Sequence, residues 1–127
     1  MARLRRRAPQ ALAAAFLGSG VIHLVRPQTF APIMPRAIPE EHHTNLIYAS
    51  GVVEFVCAYG LLRRTRWATA ASLATLGAVS PANVQMALDA GTGRNAGPSD
   101  SRAVAWGRLP LQLAMAWAAR QARPDED

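Results

Sequence analysis

Four pairs of polar residues occur at helical spacing within otherwise apolar stretches of the sequence. The pairs are Ser19 and His23, Ser50 and Glu54, Ser80 and Asn83, and Arg108 and Gln112. Because residues three or four apart lie on one face of a helix, each stretch would carry a single polar stripe. In lipid such stripes turn inward, so an acid, an imidazole and a guanidinium would meet in apolar surroundings and could bind or protonate a ligand.

The chemistry-bearing roles fall to Glu54, His23 and Arg108. A buried, neutral Glu54 could donate a proton to an alkene, epoxide or carbonyl while His23 or Arg108 steadies the developing charge. The expected ligand contacts are Asn83, Gln112, Ser50 and Ser80. An ionised carboxylate is costly at membrane depth, so Glu54 should be either protonated or paired with Arg108, the one intramembrane cation. If paired, the two side chains would act as a staple between helices.

The stretches that carry these residues predict four membrane-spanning helices. They cover about residues 9–25, 45–62, 67–88 and 103–119. Roughly 20 mainly apolar residues are needed to cross about 30 Å of hydrocarbon, and each stretch holds at most one ionisable residue. A soluble helical bundle is the alternative, but its helices would need a charged face. We therefore expect an all-α fold, one membrane domain over residues 1–127 built as an antiparallel four-helix transmembrane bundle.

The arginines predict the orientation of this bundle. Most flank the side that holds both chain ends, namely Arg3, Arg5, Arg6, Arg7, Arg63, Arg64, Arg66, Arg120 and Arg123. By the positive-inside rule, both termini are cytoplasmic in a multi-pass protein of the plasma membrane. The basic and then apolar N-terminus also resembles a secretory signal. Because the apolar run continues through Val25, we expect it to be retained as the first span.

Depth and proline positions predict a pocket in the outer half of the bundle. At 1.5 Å per residue, His23 and Asn83 lie within about 8 Å of the outer surface, Arg108 lies at about 8 Å, and Gln112 and Glu54 lie at about 14 Å. Pro81 and Pro110 lie at matching depth and would splay the outer ends of their helices. The proline-rich segment 27–43 would lie at the membrane interface as a lid. Close helix approach is expected at Gly18, Gly20, Gly51, Gly60 and Gly77.

Four separated motifs resemble those of the DoxX-like family of small four-helix membrane proteins. They are GVIHLVRPQTFAPIMPRAIP, SGVVEF, SPANVQMA and GRLPLQ. The matching positions are His23, Pro27, Glu54, Pro81, Asn83, Arg108, Pro110 and Gln112. The resemblance implies kinship with subunits associated with thiosulfate and quinone oxidation or with thiol redox complexes, although many members have no assigned activity. Because Cys57 is the only cysteine, autonomous thiol chemistry is not expected.

Two functions stay open, and the sequence does not decide whether the protein is an enzyme. In the first, the pocket binds a hydrophobic prenyl, lipid or quinone-like ligand. If the protein is an enzyme, Glu54 is the acid in isomerase- or cyclase-type chemistry. In the second, the chain is a non-catalytic DoxX-like subunit that supports a thiol or quinone redox partner. A homo-oligomer is compatible with either. A transporter is disfavoured because so short a bundle offers no second gate.

Other partners are disfavoured by the placement of charges. The net charge of +6 comes from arginines that punctuate apolar stretches rather than form a stripe, so nucleic acid is not expected as a partner. His42 and His43 lie in PEEHHT, a pattern that favours a helix N-terminus over a metal site. We expect no metal and no cofactor, since the chain also lacks a phosphate-binding glycine loop.

Overall fold

A computed structural model describes residues 1–31, 34–94 and 100–122, and the regular structure of these residues is entirely helical. The four α-helices are α1 (Ala2–Val25), α2 (His43–Leu62), α3 (Ala68–Asp89) and α4 (Arg102–Arg120). The all-α class is therefore confirmed. The helices match the predicted stretches to within a few residues, except that α1 begins earlier because its first residues are alanine, leucine and arginine, which favour helix. Arg123 lies outside the described residues.

The long connection between α1 and α2 is not one continuous helix. Its described residues include the 3₁₀ turns Pro27–Thr29 and Glu40–His42, as expected for a segment whose prolines remove backbone donors. In contrast, the connection from α2 to α3 is tight. Its turn places Arg64 at a φ of 51°, a left-handed conformation that is uncommon for a residue with a side chain.

Helices α1 and α2 approach closely at a pair of glycines. A Cβ added to Gly51 would lie 2.8 Å from the Cβ of His23 and 3.2 Å from the carbonyl oxygen of Gly20. At the other end of the same two helices, the Arg64 guanidinium donates to the Arg6 carbonyl at 3.1 Å. The start of α1 thus lies beside the end of α2, and the end of α1 lies beside the first half of α2.

The other three glycines at which close approach is predicted differ in what an added Cβ would meet. A Cβ on Gly60 would meet the Trp67 ring at 2.6 Å, whereas one on Gly18 or Gly77 would meet nothing within 4 Å. Close helix approach is confirmed at Gly20 and Gly51, whereas Gly60 packs against the Trp67 side chain of the α2–α3 turn, and the prediction was wrong at Gly18 and Gly77. These last two glycines lie on helix faces that no other described part of the chain covers.

Two apolar clusters form the core. The larger one lies where α1 and α3 begin and α2 and α4 end, and includes Leu12, Phe16, Cys57, Leu61, Leu76 and Ala119. The smaller one lies where α3 ends and α4 begins, and includes Met86, Ala87, Ala90 and Ala105 with Phe30 packed against it. The first cluster closes the end of the structure that carries the arginine-rich helix termini.

Two segments of the described chain have the length and hydropathy of a membrane span, Ala2–Val25 and Glu40–Leu62. Helices α3 and α4 do not reach that hydropathy, because Asn83 and Gln85 in one and Arg108 and Gln112 in the other lower it. Hydropathy therefore supports two of the four predicted spans. Only 39% of each apolar window is buried, so most of this apolar surface faces outward.

Candidate ligand-binding site

A cavity of about 370 Å³ lies among residues of all four helices and the α1–α2 connection. Its volume falls near the lower end of the range of about 300–1,000 Å³ that is typical of ligand pockets. The polar lining consists of Ser19, His23, Ser50, Glu54, Thr75, Asn83, Arg108 and Gln112, and the apolar lining includes Phe16, Ile22, Phe30, Ile47, Leu76, Leu111 and Met115. The structure thus brings together every predicted site residue except Ser80, which is bonded to Gln112 beside the cavity.

Glu54 is buried, with 6% of its surface exposed, and its polar neighbours come from α1. Ser19 Oγ donates to Glu54 Oε1 at 3.2 Å, and His23 Nδ1 lies 3.5 Å from Oε2. Among the described residues, Oε2 has no hydrogen-bond partner. Of the two alternatives for Glu54, the ion pair with Arg108 is therefore wrong, and the protonated state stays a prediction. The close glycine contact brings α1 against α2 within one turn of Glu54, so α1 supplies the nearest polar groups.

His23 is held in one orientation from two sides. Its Nδ1 lies 2.7 Å from the carbonyl oxygen of Ser19, and because a carbonyl can only accept, Nδ1 carries a proton and donates it there. The imidazole ring stacks on Phe30 with ring centroids 3.7 Å apart and planes 14° apart. Within the described part of the chain, Nε2 has no hydrogen-bond partner. This nitrogen is the group of His23 that remains available to a ligand.

Arg108 enters the cavity from α4 without an acidic partner. Its Nη1 lies 3.7 Å from the sulfur of Met86, which is a weak acceptor. No carboxylate of the described residues lies within ion-pair distance of the guanidinium, since the pairs that form involve His23, Arg36, His42 and Arg94. A guanidinium stays charged in any protein environment. The cavity therefore contains a permanent positive charge that the described chain does not neutralise.

Gln112 and Ser80 bind α4 to α3. Gln112 Nε2 donates to the Leu76 carbonyl at 2.5 Å and to the Ser80 hydroxyl. Its Oε1 accepts a hydrogen bond from Asn83 Nδ2 at 3.0 Å, and the Ser80 hydroxyl donates to the same Leu76 carbonyl at 3.0 Å. Both amide hydrogens of Gln112 are thus used within the protein. Of these three predicted ligand contacts, Asn83 has a carbonyl oxygen and one amide hydrogen without a partner among the described residues.

Two further polar side chains on α2 also find partners within the protein. Ser50 Oγ donates to the Leu46 carbonyl of its own helix at 2.8 Å. Cys57 is fully buried, with its sulfur 3.3 Å from Thr75 Oγ1. The described residues contain no group of three or more histidine, cysteine or acidic side chains placed to hold a metal ion.

The connection between α1 and α2 covers one end of the cavity through Phe30 and Met34. It is held to α3 by polar contacts that the sequence did not reveal. Gln85 Nε2 donates to the Met34 carbonyl at 2.8 Å, and Gln85 Oε1 accepts from the Arg36 amide at 3.0 Å. The Arg36 guanidinium also pairs with Asp89, a buried carboxylate. The segment therefore occupies the place expected of a lid.

These features define a small four-helix domain with a mainly apolar cavity and a few polar groups on its wall. The chain belongs to the family described as Domain of unknown function (DUF8561), whose model matches residues 12–123. No curated protein and no solved structure shows a significant match to it. The matched range includes α2, α3, α4, most of α1 and all residues of the cavity wall, so the cavity lies in the part of the chain that the family covers.

Proposed function

We propose that the chain is a multi-pass plasma-membrane protein whose helices form an antiparallel bundle with both termini in the cytoplasm. The exposed apolar side chains support contact with lipid, since Leu113 is 74%, Tyr59 61% and Val52 53% exposed. Monomeric soluble proteins rarely expose large apolar patches. Of the polar groups that reduce the hydropathy of α3 and α4, Asn83, Arg108 and Gln112 line the cavity and Gln85 bonds to the α1–α2 connection, so each is turned toward the protein, as polar groups within a membrane are.

Cysteine accessibility tests this topology. Cys57 is the only cysteine and is fully buried, so a Cys57→Ala chain provides a clean background. We expect a membrane-impermeant maleimide to label Glu41→Cys in intact cells, and to label Arg66→Cys only after the membrane is permeabilised. Labelling of both positions in intact cells would contradict the topology. A mature chain that lacks the first helix would instead identify that helix as a signal sequence.

We further infer that the cavity binds a hydrophobic prenyl, lipid or quinone-like molecule and that Glu54 is its acid. The observation that carries this inference is a buried carboxyl on the wall of an apolar cavity, with Oε2 lacking a partner among the described residues. A protonated Oε2 would be a donor to a ligand. Ser19 already donates to Oε1, and His23 directs its Nδ1 proton to the Ser19 carbonyl, so neither consumes that proton.

In an isomerase- or cyclase-type reaction, Glu54 would transfer its proton to an alkene or epoxide of the ligand. A C–H or O–H bond then forms as the Oε2–H bond breaks. The positive charge that develops on carbon is removed when a neighbouring carbon loses a proton to the carboxylate of Glu54, which regenerates the acid. Proton count is conserved over the cycle, and no cofactor is required. The apolar wall excludes water that would otherwise trap the cation.

The alternative is a non-catalytic DoxX-like membrane subunit that supports a redox partner. Its structural support is the contact from Ser19 and His23 to Glu54, which joins α1 to α2 as a purely structural link would. The same resemblance that suggests this role also places His23, Glu54 and Arg108 among its matching positions. In this alternative, removal of the Glu54 carboxylate would reduce stability. The wild-type protein would hold no ligand, so no ligand binding would be lost.

Glu54→Gln distinguishes the two functions. We expect the purified wild-type protein to retain a hydrophobic molecule detectable by mass spectrometry of its lipid extract, and Glu54→Gln to lose it or fail to convert it. Glu41→Gln makes the same change at an exposed position and should behave as wild type. A folded Glu54→Gln protein that keeps and converts the same molecule would refute the acid role. Loss of stability together with co-purification of a redox protein would favour the subunit.

A further inference from the structure

Arg108 and Glu54 line the same cavity without forming an ion pair. Glu54 is joined to Ser19 and His23, whereas the nearest recorded partner of the Arg108 guanidinium is the sulfur of Met86, at 3.7 Å. The two ionisable groups that the sequence would pair are therefore each directed to a different helix. The acid is therefore linked to α1 and α2, and the cation to α3 and α4.

The Arg108 guanidinium is partly buried and lines the cavity without a carboxylate partner among the described residues. A guanidinium does not lose its proton, so it cannot escape the cost of burial by becoming neutral, as a carboxyl can. Arginine matches an oxyanion particularly well, because its planar fork can donate two parallel hydrogen bonds to carboxylate or phosphate oxygens. The Gln112 side chain is not available as a partner for the Arg108 guanidinium, since its amide is bonded to α3.

We propose that the natural ligand is a single-chain amphiphile whose head is an oxyanion, a carboxylate or a phosphate monoester, bound by Arg108. This inference rests on the ligand-binding cavity proposed above and specifies its occupant. Asn83, which also lines the cavity, has a second amide hydrogen that could be donated to the same head. The apolar chain would follow Phe16, Ile22 and Leu111. A cavity of about 370 Å³ suits one chain rather than the two chains of a phospholipid.

The placement of the head also fits the acid on the other helices. An oxyanion at Arg108 would have its negative charge next to the guanidinium rather than at Glu54, which forms no ion pair with Arg108 and whose buried Oε2 lacks a donor in the described structure. A part of the chain that reaches Glu54 can then accept its proton while the head stays fixed. Anchoring the head in this way would orient the reacting carbon, which is how remote binding energy assists catalysis.

The test compares three probes of equal chain length on the purified protein in a non-ionic detergent. The probes are dodecanoate, dodecyl phosphate and the neutral dodecanol, with binding measured by titration calorimetry. Charge-assisted hydrogen bonds contribute about 1.5–3 kcal/mol, so we expect one or both anions to bind wild type at least about tenfold more tightly than dodecanol. Acetate and inorganic phosphate, which lack the chain, should bind far more weakly than the amphiphiles.

Arg108→Gln should abolish the preference for the anion and leave dodecanol affinity unchanged, while Arg108→Lys should restore part of it. Arg26→Gln is the matched control, because Arg26 is exposed and does not line the cavity. If all three amphiphiles bind wild type equally, or if Arg108→Gln keeps the preference, the oxyanion proposal fails while the hydrophobic cavity stands. If no probe binds wild type, both fail. The wild-type comparison decides the matter even if Arg108→Gln does not fold.

Discussion

Gly51→Ala should separate α1 from α2 beside the candidate acid. The new Cβ would lie 2.8 Å from the Cβ of His23 and 3.2 Å from the Gly20 carbonyl oxygen. Both neighbours are fixed to the α1 backbone, so no rotation of a side chain relieves the contact. The two helices must move apart, and the distance between His23 and Glu54 must grow with them.

The expected magnitude follows from two opposing effects. Overpacking in a well-packed interior costs about 1–3 kcal/mol, and the rigid neighbours place Gly51→Ala toward the upper part of that range. Replacing glycine by alanine inside a helix returns about 1 kcal/mol. We therefore expect a net loss of about 1–2 kcal/mol, which corresponds to a midpoint of thermal unfolding about 4–8 °C lower in a chain of this size.

Gly77→Ala and Gly18→Ala are the matched controls, because a Cβ at either position meets nothing within 4 Å. They gain the helix propensity without the overpacking, so their midpoints should equal or exceed that of wild type. Thermal unfolding of the detergent-solubilised proteins, followed by circular dichroism, measures all three. The reasoning is refuted if Gly51→Ala is as stable as the controls, or if the controls lose as much stability as Gly51→Ala.

Two further predictions concern the contacts of α3. Asp89→Asn removes the ionic partner of Arg36. Backbone amides of the α1–α2 connection should then exchange hydrogen faster than in wild type, while those within α2 stay unchanged. If the connection exchanges at the wild-type rate, the Arg36–Asp89 contact does not hold it to α3. Gln112→Leu leaves the Asn83 amide without its acceptor, which should destabilise the fold by about 1–3 kcal/mol in denaturant titration. The preference for anionic probes should survive Gln112→Leu, and its loss would show that Gln112 contacts the ligand head.

The helices and the membership of the site were predictable because both depend on local sequence. Long apolar stretches with at most one ionisable residue define the helices, and spacing of three or four residues fixes which polar groups share a face. Counting depth from helix ends then placed His23, Glu54 and Arg108 in the outer half of the bundle. The structure finds these three on one cavity wall, although their functional roles stay a prediction.

The pairing of the polar groups was not predictable, because it depends on which helix faces which. Gly20 and Gly51 bring α1 and α2 together, yet nothing in the sequence distinguishes them from Gly18 or Gly77, which meet no neighbour. The contact of Arg36 with Asp89 joins residues far apart in the chain and has no periodic signal. Charge complementarity alone favoured Glu54 with Arg108, and helix packing decided otherwise.

The cavity itself follows from how the helices divide into pairs. The most extensive helix contacts join α1 to α2 and α3 to α4, and each pair has its own polar link, through Glu54 in the first and Gln112 in the second. The Gln112 amide is fully hydrogen-bonded within this link. Glu54 Oε2 has no hydrogen-bond partner among the described residues, and Arg108 has only the weak contact with Met86, so both can contact a ligand in the space between the pairs. A ligand that contacts both would bridge the two helix pairs, so its binding should stabilise the fold as a whole.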